Sequence, residues 1–112
     1  MHTKKSTPIS DKSIAFLENV THKKMTLGNL LWSLRESEEL NQTQLAKKLH
    51  ISRQYLCDIE HGRRSVSTKT AAEFATKLGY APIQFIQLAI QDELNKLGFH
   101  FDIELRDQKD AA

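Results

Sequence analysis

Residues 50–64, HISRQYLCDIEHGRR, set Ser52, Arg53, Gln54, Tyr55 and Asp58 around Ile51, Leu56 and Ile59, with Arg63, Arg64 and Ser65 just beyond. The three aliphatic residues bury one side of a short helix, which leaves the polar set on the outside. Its chemistry is recognition by hydrogen bonding. Arginine is a rigid fork of donors, glutamine both donates and accepts, and an ionised aspartate only accepts. Reaction chemistry finds no footing: there is no nucleophile with a nearby base, no glycine-rich phosphate loop and no carboxylate constellation beyond ordinary surface charge. The five histidines lie at 2, 22, 50, 61 and 100, without a pair at metal-ligand spacing. Cys57 is the only cysteine, which excludes an intramolecular disulfide and a cysteine-based zinc site. Without a partner thiol it reads as a small, partly buried side chain rather than a redox sensor. No enzyme, metal or cofactor is expected.

The elements that hold this stretch are legible from caps and spacing. Asn41 caps a helix over about 42–49, and Gln44 reaches back as the amide version of a capping box. Leu45, Ala46 and Leu49 face inward. Ser52 caps the next helix, about 52–61, and Gly62 ends it. Upstream, a helix over about 26–38 carries Leu27, Leu30, Leu31 and Leu34 as a wide apolar face, with Trp32 off its centre. Ser67 or Thr68 opens a fourth helix with Ala71, Phe74, Ala75 and Leu78, which stops at Gly79. Pro82 suits the first turn of a fifth, running to Leu97 and Gly98. Before all of these, residues 1–8 form a basic arm. Ile14, Leu17 and Val20, with Phe16 alongside, then predict a short amphipathic helix capped by Ser10 or Asp11.

The fifth helix is apolar on two sides, with Ile83, Ile86, Ile90, Leu94 and Leu97 forming one seam and Phe85, Leu88 and Ala89 widening it. After Gly98 the period changes to two: Phe99, Phe101, Ile103 and Leu105 alternate with His100, Asp102, Glu104 and Arg106. That pattern predicts a half-buried strand. A lone strand cannot satisfy its own backbone, so the expectation is a two-stranded ribbon across a two-fold axis or strand addition to another protein. Ile86, Ile90, Leu94, Leu97, Phe99, Phe101, Ile103 and Leu105 are the expected dimerisation residues. The expected fold is mainly α: a five-helix domain with an extra N-terminal helix and this C-terminal β-strand. Its parts are 1–24, the arm and short helix; 25–81, the central helices; and 82–112, the long helix and strand.

At 112 residues the chain fits one small domain with extensions. With 39% apolar and 27% charged residues it reads as an ordinary soluble protein. No run approaches the roughly 18 apolar residues of a membrane span, and the polar start lacks the apolar stretch of a secretory signal. A cytoplasmic location is the expectation. The formal net charge of +2 hides an uneven distribution. Residues 22–81 hold ten Lys or Arg against six acids, while 82–112 hold three against six. A basic central segment suits a face that meets phosphates.

Two helices joined by a three- or four-residue turn, the second polar outside, form a helix-turn-helix. Ala46 permits the close crossing, and the outer face of the second helix fits a DNA major groove. LNQTQLAKKLHISRQYLCDIEHGRR resembles the helix-turn-helix of the lambda-repressor/Cro-like (Xre-type) regulators. The resemblance covers about residues 26–90, with LR at 34–35, Q-x-x-LA at 42–46, IS at 51–52, IE-x-G at 59–62 and LG at 78–79 in register. It implies a structural ion pair between Arg35 and Glu60. It also implies that Gln42 bonds a phosphate or outer base, that Ser52, Arg53, Gln54 and Asp58 face the groove, and that Arg63, Arg64 and Ser65 contact the backbone. Tyr55 is a phosphate contact or a packing residue. Arg suits guanine O6 and N7, Gln adenine N6 and N7, and an acid can accept from cytosine N4. Glu39 and His50 stand where the family often has glycine, at positions that favour positive φ.

The resemblance thus implies a sequence-specific, double-stranded DNA-binding repressor acting as a homodimer on a palindromic operator. The alternative is an antitoxin similar to HigA-type antitoxins, whose acidic C-terminal stretch binds a toxin while the helix-turn-helix represses the shared operon.

Overall fold

The computed structural model describes residues 25–108. The N-terminal arm and the helix expected over 10–20 lie outside those residues. Five helices follow in order: α1 Leu27–Ser37, α2 Gln42–Leu49, α3 Arg53–Glu60, α4 Thr68–Leu78 and α5 Pro82–Lys96. Each starts where a short polar side chain or proline can begin a helix. Thr26, Asn41, Ser52 and Ser67 accept a backbone N–H from inside the first turn, and Gln44 completes a reciprocal box with Asn41. Pro82 opens α5, where its missing N–H leaves no unmet donor.

Left-handed residues stop them: Glu39, His50, Gly62, Gly79 and Gly98 all have positive φ. Behind three of these turns, the N–H of Leu40, Ile51 and Tyr80 reaches back to Arg35, Ala46 and Ala75 respectively, closing the last helical turn. The same apolar residues then fold onto the core, Tyr80 buried and Leu40 and Ile51 half-buried. Glu39, at 57°, and His50, at 60°, adopt this conformation without being glycine.

The core is one cluster. Leu30, Leu31, Leu45, Leu49, Leu56, Phe74 and Phe85 are its largest fully buried side chains, drawn from all five helices. α4 packs most extensively on α5, and α1 crosses α3. That crossing depends on Gly28: a Cβ there would fall inside the van der Waals envelope of the Ile59 carbonyl. The same end of α1 is tied to α5, where the Asp92 carboxylate accepts the Leu27 N–H at 3.1 Å. That N–H is one of the donors a helix start leaves unpaired. No helix of the described residues is long and apolar enough to cross a membrane.

The expected C-terminal strand does not form, and among the described residues there is no strand to pair with. After the turn at Gly98 the chain runs back along α5. Gln91 donates to the Phe101 carbonyl at 2.6 Å and accepts the Ile103 N–H at 3.1 Å, and Gln87 accepts the Leu105 N–H at 2.9 Å. Four helical residues rise about 6 Å and two extended residues about 6.6 Å, so Gln87 and Gln91 match Leu105 and Ile103 in spacing. The period-two pattern therefore marks an extended backbone with an inner face, Ile103 and Leu105 being half-buried. Side chains on the preceding helix supply bonds that a partner strand was expected to supply.

Two measurements probe these constraints. Glu39→Gly relieves left-handed strain of about 1–2 kcal/mol, offset by glycine's extra entropy in the unfolded chain, so a net gain of about 0.5–1 kcal/mol is expected in denaturant unfolding. Burial pushes the Asp92 carboxyl above its ordinary value of 3.8, against the opposing bond from Leu27. The folded state thus holds this proton more tightly than the unfolded chain, and the group's contribution to stability falls as pH rises through that raised value. Asp92→Asn keeps an acceptor and removes the charge. Its melting temperature should exceed that of the wild type at pH 7, with the difference vanishing below the ordinary carboxylate value of 3.8.

Candidate nucleic-acid interface

α2 and α3 are joined by His50, Ile51 and Ser52 alone. Leu45, Ala46 and Leu49 from α2 and Leu56 and Ile59 from α3 are buried, which fixes the faces the two helices turn to each other and to the core. Because Ser52 accepts the Tyr55 N–H, α3 begins with its first residues pointed outward. Ser52, Arg53 and Gln54 are exposed, Asp58 is half-buried, and Arg63, Arg64 and Ser65 follow in an exposed loop.

A polar network ties α3 to its neighbours. Arg35 Nε and Nη2 donate to the two oxygens of Glu60 at 3.0 and 3.1 Å, and Nη1 donates to the Leu40 carbonyl at 3.2 Å. The pair is well shielded, with the Arg35 side chain 13% and the Glu60 side chain 3% exposed. Glu60 sits at the end of α3, where the helix dipole disfavours an anion, and the bidentate guanidinium compensates. Gln42 extends the network. Its amide donates to Glu60 Oε1 at 3.0 Å, and its carbonyl accepts from Arg53 Nη1 at 2.9 Å. The expected outer contact, Gln42, is therefore engaged inside the protein at both ends of its amide. It links the shielded ion pair to the first side chain of α3.

A second network lies on the outer face. Asp58 Oδ1 accepts from Gln54 Nε2 at 3.1 Å and from Arg63 Nε and Nη2 at 3.0 and 2.9 Å. The bond from Arg63 holds the Asp58 carboxyl below the usual range, and the same bond raises the guanidinium. Arg64 lies over the ring of half-buried Tyr55, 5.0 Å from its centroid. Ser65 turns the other way, toward α5, and accepts from Lys96 at 3.4 Å. Cys57 is half-buried, with Sγ 3.5 Å from His61 Nδ1 and 3.6 Å from Arg63 Nη2. No group of histidine, cysteine and acidic side chains among the described residues is placed to hold a metal.

Sequence reasoning named most of these side chains, and the family resemblance implied the Arg35–Glu60 pair that the structure contains, but the other partners were not named. The four-residue spacing of Gln54 and Asp58 is a visible helical signal. Gln42 and Arg53 lie eleven apart across a turn, and nothing in their spacing announces a bond. Gly28, whose lack of a side chain sets the crossing of α1 with α3, and Lys96 were also missed. The network sets an expectation: Glu60→Gln leaves the shielded Arg35 without its bidentate counter-charge, with only the exposed Glu36 carboxylate 3.6 Å away, and should cost about 3 kcal/mol in chemical denaturation.

Comparison with known proteins agrees with this geometry. A helix-turn-helix family model matches residues 33–85, from within α1 to the start of α5. The ImmF control region 10 kDa protein of Bacillus phage phi105 is 49% identical over 49 residues, which is 44% of this chain and 54% of that protein. The immunity repressor protein of the same phage is 42% identical over 55 residues, 49% of this chain and 38% of that protein. The matches thus span about half or less of these relatives. No solved structure gives a significant match. With Arg35, Gln42, the turn at His50 and Glu60 all inside the matched segment, residues 33–85 match the helix-turn-helix family and are similar to its lambda-repressor/Cro-like (Xre-type) members.

Proposed function

We propose that the chain is a sequence-specific, double-stranded DNA-binding transcriptional repressor that acts as a homodimer on a palindromic operator. One observation carries the reading: the outer face of α3 is polar, exposed and prearranged, while its inner face is locked to α1 and α2 through Arg35, Glu60 and Gln42. A B-DNA major groove accepts one helix in this way. Arg53 and Gln54 then reach base edges. Arg63 and Arg64 lie on the loop that follows, where phosphates pass. The similar immunity repressor protein supports the regulatory sense of the proposal.

Two reading helices need a two-fold partner. Leu97, Phe99 and Phe101 are 61%, 48% and 58% exposed, and the two phenylalanine rings stack at 5.5 Å. With the half-buried Ile86, Ile90 and Leu94 they supply an apolar surface for a second copy. Ile103 and Leu105 contribute by covering α5 rather than by strand pairing. The antitoxin alternative gains no support from the relatives.

Selection of bound sequences from random duplex DNA tests the proposal. The expected result is two half-sites of inverted symmetry, centred about one helical turn, roughly 10 base pairs, apart. Arg53→Ala should weaken operator binding by about 1–3 kcal/mol and relax preference at one base pair per half-site. An unchanged affinity and preference would remove Arg53 from the reading surface.

A further inference from the structure

We propose that Asp58 acts as a positioning residue: it orients the amide of Gln54 so that the base pair Gln54 faces is held to adenine against guanine. The inference rests on the DNA-reading role proposed for α3. An ionised carboxylate has no hydrogen to give, so only the NH2 side of the Gln54 amide can face it. That is the arrangement present, with Nε2 3.1 Å from Asp58 Oδ1. The reversed amide would set its oxygen against the carboxylate. Arg63 anchors the acceptor from the loop side, donating to the same Oδ1 through Nε and Nη2 at 3.0 and 2.9 Å. The carboxylate is thereby held charged and in place.

The consequence for Gln54 is a fixed outward pattern. One hydrogen of Nε2 is taken by Asp58, which leaves the second hydrogen and the carbonyl oxygen for another molecule, and Gln54 is exposed. Adenine offers an N6 donor beside an N7 acceptor, and this pair complements one acceptor and one donor on the amide. Guanine offers two acceptors, O6 and N7, so the oriented carbonyl would meet an oxygen. A freely turning glutamine would escape that clash by swinging its carbonyl away from the base, toward the place Asp58 occupies, and giving both Nε2 hydrogens to O6 and N7. Asp58 removes the escape. It does so without leaving the helix, because residues four apart share one stripe. An acid on a face that meets phosphates lowers nonspecific attraction. Its bonds to Gln54 and Arg63 give it a place there that needs no base contact of its own.

The test uses selection from random duplex DNA with the full chain and three variants: Asp58→Asn, Gln54→Ala and the double substitution. The wild type should favour adenine over guanine by about tenfold at one position of each half-site. Asp58→Asn offers a carboxamide that both donates and accepts, so Gln54 can take either orientation. The preference at that position should fall to within about twofold, with the other positions unchanged. Gln54→Ala should abolish preference at the same position, and adding Asp58→Asn to it should change nothing more. Unchanged preference in Asp58→Asn overturns the proposal. So does a change at a different position from that of Gln54→Ala, which would mark Asp58 as a base contact in its own right. If the wild type selects no sequence, the DNA-reading role fails first, and this inference with it.

Discussion

The bidentate pair between Arg35 and Glu60 is the constraint around which the helices are arranged. Removing both charges from water is costly, and their attraction compensates only when geometry and the remaining hydrogen-bond capacity are satisfied. Here they are satisfied by the Leu40 carbonyl on one side and the Gln42 amide on the other. One carboxylate thus joins α1, the start of α2 and the end of α3. Apolar burial supplies most of the driving force, but it is non-directional. Leu49, Leu56 and Phe74 bring the helices together, and the ion pair with Gly28 selects how α1 crosses α3.

The same logic extends to the outer face at lower cost, since these groups keep contact with water. Gln42 passes the influence of the shielded pair to Arg53, and Asp58 holds Gln54 and Arg63. Side chains that are already bonded lose less freedom when they meet a partner. On the proposed role, α3 approaches DNA with its first two long side chains oriented. Their orientation comes from residues that are not themselves the contacts: Gln42 in one case and Asp58 in the other.

The C-terminal segment shows where pattern reading goes astray. Alternation of Phe99, Phe101, Ile103 and Leu105 reports which way successive side chains point, and in that respect the segment behaves as an extended chain with Ile103 and Leu105 turned inward. It carries no information about what bonds the backbone. A partner strand is the usual answer because few other structures present donors and acceptors at the right interval. Two glutamines one helical turn apart do so here, and the turn at Gly98 brings the segment back to them.

The sequence by itself determined the local features. Caps at Asn41, Ser52 and Ser67, the stop signals at Gly62 and Gly79, and the apolar spacing of Leu45, Leu49, Leu56 and Ile59 follow from interactions within one or two turns of chain. For that reason the order of helices and the polar outer face of α3 are legible before folding. The positive φ of Glu39 and His50 was readable only through the family resemblance, in which glycine often stands at these positions. Only the tertiary structure decided the partners: Gln42 with Arg53 and Glu60, Arg63 with Asp58, Asp92 with Leu27, and the C-terminal segment with Gln87 and Gln91. Local rules govern residues whose separation along the chain sets their distance in space. A hydrogen bond between distant residues depends instead on how whole helices cross, which is settled by packing of the entire core.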